Sequence, residues 1–183
     1  MHGNAGNNEI DGGNDGHDTL YGHDGDDILR EHSETYYGNE PASDDKLYGG
    51  NGNDKLYAHV GADLLDGGTG NDYLEGGEHN DTYVFGKGYG HDTIREESGN
   101  DTLLFGKGVA ASDVLLSKSG ANLTVSVGTN DSITIDDWFT GNNHKVENFK
   151  FADGSTYQVT GHGDYYSLSA VNHIQDQTQV SVI

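Results

Sequence analysis

The chain has 183 residues, of which 29 are glycine and only 32% are hydrophobic, and it carries a formal charge of -22. So much backbone entropy and self-repulsion place the metal-free chain near the disordered end of composition space, where divalent ions would supply the missing cohesion. Nine Lys and Arg and no cysteine exclude nucleic acid as a partner, disulfides and thiolate zinc, and leave calcium bridging as the one route to acidic lipid.

In chain order, Met1-His2 runs straight into a nine-residue unit, GNAGNNEID at 3–11, which reads as a piece of a longer protein. No secretory signal pattern and no apolar run of about eighteen residues is present. After one extra residue, Gly12, units begin at Gly13 and Gly22, with Asp18 and Asp27 at position six and Leu20 and Leu29 at position eight. Residues 31–39 lose the pattern, with Glu34, Tyr36 and Gly38 in the third-glycine, aspartate and core slots. Residues 40–48 restore Asp45 and Leu47, although Pro41 and Ser43 replace glycines.

Units at Gly49, Ala58, Gly67 and Gly76 then follow without slippage, with Asp54, Asp63, Asp72 and Asp81 at position six and Leu56, Leu65, Leu74 and Tyr83 at position eight. The full form is Gly-Gly-x-Gly-x-Asp-x-apolar-x, carried by Gly49, Gly50, Gly52 and Asp54 and again by Gly67, Gly68, Gly70 and Asp72. His79 takes position four of the unit at Gly76 and calls for a turn at positive φ. A two-residue insertion near Phe85-Gly86 precedes two last units, with Gly90, Asp92 and Ile94, then Gly99, Asp101 and Leu103.

Three small residues before a carboxylate make a turn with uncovered carbonyls, an oxygen-rich loop suited to a hard cation. Calcium accepts six to eight oxygens in forgiving geometry, whereas magnesium demands an octahedron and zinc prefers nitrogen or sulfur. With the last three residues of each unit extended, only position eight faces the core. A flexible linker would need no apolar residue in fixed phase.

The candidate ligands are therefore the aspartates at 18, 27, 45, 54, 63, 72, 81, 92 and 101, with turn carbonyls from Gly22, Gly25, Gly49, Gly50, Gly52, Gly61, Gly67, Gly68, Gly70, Gly76, Gly77, Gly90 and Gly99. Two units make one lap of a coil, so ligands pair eighteen residues apart: Asp54 with Asp72, and Asp27 with Asp45, Asp45 with Asp63 and Asp63 with Asp81 on the other side. The insertion makes the pairs Asp72–Asp92 and Asp81–Asp101 twenty apart, and Tyr36 breaks one side opposite Asp18 and Asp54. At a tenfold excess over the dissociation constant each ion contributes about 1.4 kcal/mol, so about six ions give roughly 8 kcal/mol, comparable to a typical domain's stability of about 5–15 kcal/mol.

Beyond Leu104 the pattern becomes strand alternation, with Leu123, Val125 and Val127, then Ile133 and Ile135, then Phe149 and Phe151. Asp153-Gly154 marks a hairpin turn before Thr156-Tyr157-Gln158-Val159. Trp138 adds core area, as such aromatics usually do, and a ligand platform built on it or on Tyr36-Tyr37 is the rarer use. The histidines fall on turn-surface positions without a zinc-ligand spacing, and no nucleophile elbow, metalloprotease helix or phosphate loop occurs. The reading is all-β: 1–104 a parallel roll of repeats, 105–160 a β-rich cap, and 161–183 a polar tail.

Asn80-Asp81-Thr82-Tyr83-Val84-Phe85, followed by Gly88-Tyr89-Gly90-His91-Asp92-Thr93-Ile94 and later Ile135-Asp136-Asp137-Trp138-Phe139, resembles the repeat-to-cap junction of RTX proteins of the haemolysin and adenylate cyclase toxin type. The nonapeptide resembles the RTX calcium-binding repeat. The resemblance implies a parallel β-roll (β-helix), export by a type I secretion machine reading an uncleaved C-terminal signal, and folding in external calcium. It further implies a secreted, extracellular monomer with contact to a host cell surface only through the parent protein, while the missing catalytic motifs read as no enzyme within this region. A second reading is the terminal region of an RTX adhesin, holding a sugar or peptide through Trp138 and neighbouring acids.

Overall fold

The computed structural model describes residues 1–13, 16–31, 43–141, 143–163 and 165–171. Two eight-stranded sheets face each other across one core. The first runs β1 (Glu9–Asp11), β3 (Ile28–Arg30), β5 (Lys55–Tyr57), β7 (Tyr73–Glu75), β9 (His91–Arg95), β13 (Asp131–Ile135), β12 (Asn122–Val127) and β11 (Val114–Ser119). The second runs β2 (Thr19–Asp24), β4 (Lys46–Asn51), β6 (Leu64–Thr69), β8 (Thr82–Phe85), β10 (Thr102–Phe105), β14 (Asn148–Lys150), β15 (Thr156–His162) and β16 (Tyr165–Ala170). Successive units alternate between the sheets, and every strand pair from β1 to β10 is parallel: the architecture is a parallel β-roll with a C-terminal β cap.

Each short strand buries its middle residue alone, because side chains alternate across a strand. Leu20, Leu29, Leu47, Leu56, Leu65, Leu74, Tyr83, Ile94 and Leu103 thus form two facing columns, all at most 2% exposed. On the second sheet, β4 and β6 extend beyond the expected three residues through the next unit's glycines, which pair as Gly50↔Gly68.

One register departs from the eighteen-residue rule. Leu47 pairs with Leu65 and Leu56 with Leu74, eighteen apart, but Leu20 pairs with Leu47 and Leu29 with Leu56, twenty-seven apart. One lap thus contains three units. The unit at 31–39 brings no aspartate to position six and no apolar residue to position eight, and the ladder passes directly from β3 to β5 and from β2 to β4. The pairing of Asp27 with Asp45, and the opposition of Tyr36 to Asp18 and Asp54, are corrected accordingly: Asp18 adjoins Asp45 and Asp27 adjoins Asp54. Tyr36 and Tyr37 lie outside the described residues.

The cap continues both sheets. β13 pairs in parallel with β9 and β14 with β10, after which the strands turn antiparallel. The Asp153-Gly154 turn joins β14 to β15, with Phe149 opposite Tyr157. Strand structure continues past 160 to Ala170, because β15 and β16 pair over their whole length. Trp138 is buried and meets Phe149 edge to face at 6.5 Å, so it is a core residue and not an exposed platform.

Candidate metal centre

The position-six aspartates form two ladders, one at each edge where the units turn. On the second-sheet side, Oδ1 of each accepts the backbone N–H of its counterpart one lap earlier: Asp18 to Asp45, Asp45 to Asp63, Asp63 to Asp81 and Asp81 to Asp101, at 2.7–2.8 Å. On the first-sheet side the same bond runs from Asn8 to Asp27, Asp27 to Asp54, Asp54 to Asp72 and Asp72 to Asp92, at 2.7–3.0 Å. All these aspartates are buried except Asp18, which is half-buried.

The second carboxylate oxygen is the telling atom. Oδ2 of Asp27, Asp54, Asp63, Asp72, Asp81, Asp92 and Asp101 is buried with no hydrogen-bond partner, a costly condition for a charged acceptor unless a cation meets it. Asp45 differs, since Ser43 Oγ donates to its Oδ2 at 3.0 Å.

Burial raises the carboxyls of Asp27, Asp54, Asp63, Asp72, Asp81, Asp92 and Asp101 above the ordinary 3.8, and the preceding lap's N–H offsets it only partly. Asp72 stands at about 6, Asp54, Asp63 and Asp101 at about 7, and Asp81 and Asp92 at about 8. Neighbouring carboxylates add to the rise, as Asp63 and Asp101 do for Asp81.

The glycines create the room. At position one, a Cβ on Gly22, Gly49, Gly67 or Gly76 would overlap Oδ2 of the aspartate five residues on. At positions two and four, Gly50, Gly68, Gly77, Gly52, Gly61, Gly70, Gly90 and Gly99 each lie directly on a backbone carbonyl oxygen of the preceding lap, and Gly25 lies on the backbone of Gly6. This leaves a file of carbonyls between turns. Where histidine replaces glycine the backbone still adopts the left-handed form, at φ 86° for His23, 68° for His59 and 88° for His79.

Four acids outside position six also join the ladders. Asp131 accepts the N–H groups of Gly88 and Gly90, each at 3.0 Å, closing the first-sheet side. Glu147 accepts the Asp101 N–H at 2.9 Å, extending the second-sheet side into the cap. Glu31 and Glu96 are buried beside Asp18 and Asp45, and beside Asp81 and Asp101. Asp131 and Glu147 lie outside the nonapeptides, but each precedes a core residue, Ile133 and Phe149, by two, the spacing of positions six and eight.

The family profile of the RTX calcium-binding nonapeptide repeat (4 copies) matches residues 2–30, 42–65 and 59–91. That of the haemolysin-type calcium binding protein related domain matches residues 122–160. The repeat matches omit residues 31–41, where the ladder skips a unit. No curated protein matches. Among solved structures, the extracellular lipase LipA from Serratia marcescens is similar with a TM-score of 0.43 and 19% identity, over 74% of this chain and 37% of that one. The chain thus spans little more than a third of that lipase.

Proposed function

We propose that this chain, which is an RTX calcium-binding region, is a module that stays unfolded where calcium is scarce and folds where it is plentiful, supporting the folding and export of a larger secreted protein. The observation that carries this reading is the row of buried, unpartnered Oδ2 atoms, four of which, on Asp27, Asp54, Asp72 and Asp81, face the bare backbone of Gly22, Gly49, Gly67 and Gly76. The ions would be held by the aspartates at 18, 27, 45, 54, 63, 72, 81, 92 and 101 together with carbonyls of the glycine turns. Bound calcium supplies the positive charge that these carboxylates lack. Asp18 and Asp45 enter the set through their ladder bond, although Asp45 Oδ2 already has Ser43.

Export by type I secretion into calcium-rich surroundings, with residues 161–183 as part of an uncleaved signal, is the setting in which such a switch is useful. Catalysis would belong to the parent protein outside this region. The adhesin reading has a largely covered Trp138, 6% exposed and lining a pocket with Phe139 and Tyr166, to rest on.

Circular dichroism of the full chain in excess chelator and in calcium tests the reading. A disordered spectrum that becomes β-rich in calcium at sub-millimolar to millimolar levels is expected, with magnesium a poor substitute. The same β-rich spectrum in chelator would overturn it.

A further inference from the structure

Two steps of the second-sheet ladder carry a third carboxylate. Glu31 and Glu96 each directly follow a first-sheet strand, in the repeated sequence Arg-Glu-x-Ser at 30–33 and 95–98. Both occupy position one, where the pattern calls for glycine. The column of residues that directly follow the first-sheet strands reads Gly12, Glu31, Ala58, Gly76 and Glu96 up the roll.

Each glutamate has a glycine one lap below it. A Cβ on Gly12 would overlap both carboxylate oxygens of Glu31, and a Cβ on Gly76 would overlap the Tyr83 hydroxyl that donates to Glu96 Oε2. The glutamates therefore lean back into space that only glycine leaves open. This puts carboxylate oxygens of Asp18, Glu31 and Asp45 within 4.8 Å of one another, and likewise those of Asp81, Glu96 and Asp101.

Glu96 and Asp101 are completely buried and Asp81 is 1% exposed, and Oδ2 of both aspartates is unpartnered, as is Glu31 Oε1. Of the adjacent arginines, Arg30 pairs with Glu9 and Arg95 lies beside Tyr73 and Glu75. The ion pairs Arg30–Glu9 and Lys87–Asp113 lie away from both trios, while His144 Nδ1 meets the Glu96 backbone carbonyl at 2.7 Å.

We propose that the two trios are high-charge cation sites that take up calcium ahead of the two-carboxylate steps, one at the first and one at the last aspartate step of this ladder. The inference rests on the calcium reading above and refines it. Hard-cation affinity rises with the number of charged oxygen ligands. The intervening steps, Asp45–Asp63 and Asp63–Asp81, have Ala58 and Gly76 in the corresponding column and gain no third acid. Early occupancy would clamp the irregular three-unit lap at one end and the lap next to the cap at the other.

Calcium titration calorimetry on the full chain decides the matter, using Glu31→Gln and Glu96→Gln, with Glu97→Gln at an exposed neighbour as control. The expected wild-type isotherm has a tight class of two ions and a weaker class. Each of the first two variants should remove one tight ion, with an affinity loss of roughly tenfold or more, while the weaker class and the control stay unchanged. The metal-free variants should also be no less ordered by circular dichroism than the parent, since glutamine relieves buried charge. A wild-type isotherm with one class, unchanged in both glutamine variants, would overturn this proposal and leave the calcium reading intact. Absence of calcium binding by the unaltered chain would overturn both.

Discussion

Oδ1 of Asp72 accepts the backbone N–H of Asp54 at 2.8 Å, while Oδ2 of the same carboxylate is buried without a partner. Asp72 in turn donates its own N–H to Asp92 at 3.0 Å. It is therefore shared by two steps of the first-sheet ladder, and its loss weakens both. Asp72→Asn keeps the bond from Asp54 but removes the charge, and should raise the calcium midpoint for folding by roughly tenfold or more. Asp44→Asn makes the same change of net charge at an exposed turn position and should move the midpoint far less. Equal shifts would mean that only overall charge matters, and the ladder would lose its role.

The pH dependence follows from the raised carboxyls. In the metal-free fold Asp81 and Asp92 stand at about 8 and Asp54, Asp63 and Asp101 at about 7, against 3.8 when unfolded. Between those limits the folded state holds more protons, so the metal-free fold keeps its stability below about pH 4 and loses it as pH rises towards 7–8. Calcium must displace the same protons, so it binds better as pH rises. The calcium midpoint, followed by circular dichroism, should fall steadily from pH 5.5 to pH 8, and mild acid should increase residual structure in chelator. A midpoint independent of pH would show that the aspartates are not the groups calcium engages.

Turn glycines should differ sharply in tolerance. Gly70 lies on the carbonyl oxygen of Gly52, at φ 145°, so Gly70→Ala forces two backbones apart. Gly106 meets only ordinary contacts, the nearest the Phe85 carbonyl at 3.7 Å. In saturating calcium, urea unfolding should show Gly70→Ala destabilised by about 2–4 kcal/mol and Gly106→Ala changed by no more than about 0.5 kcal/mol. Similar values for both would contradict the close stacking of laps.

The periodic part of the molecule was legible because each rung needs one apolar residue and one aspartate at fixed spacing. From Lys46 onward the two columns, with their laps of eighteen and then twenty residues, follow from counting alone. The lap between β3 and β5 was not legible in this way. Residues 31–39 preserve the nine-residue phase while failing to supply a rung, and skipping one unit exchanges the side on which everything earlier lies. Phase says nothing about which side a unit occupies. The glutamates were missed because Glu31 and Glu96 fill a glycine slot and read as decay of the motif, although the repeated Arg-Glu-x-Ser was visible. Asp131 and Glu147 each precede a core residue by two, but the cap pairings that bring them to the ladders join residues far apart in sequence, which that spacing does not encode.

The cap should be required for the roll to fold, although it lies outside the nonapeptide repeats. Without it, Ile94 on β9 and Leu103 on β10 would end the two core columns in water, and both strands would present unpaired edges. In the structure β13 covers the first edge, with Ile135 opposite Ile94, and β14 covers the second, with Phe149 opposite Leu103. Phe105 then stacks on Phe151 at 4.6 Å, and Phe149 meets Trp138, so the last lap shares its core with the cap. The acid ladders continue across the same boundary, through Asp131 to Gly88 and Gly90 and through Glu147 to Asp101. Folding the cap therefore presents the last turns with both a core surface and their terminal carboxylates. Each further lap can then add to a finished edge instead of nucleating alone. A chain ending at Leu104 should remain disordered by circular dichroism at calcium levels that fold the full chain. Phe149→Ala in the full chain should cost about 3–5 kcal/mol and raise the calcium midpoint as well. A truncated chain that folds at the parent's calcium midpoint would show that the roll closes its own end.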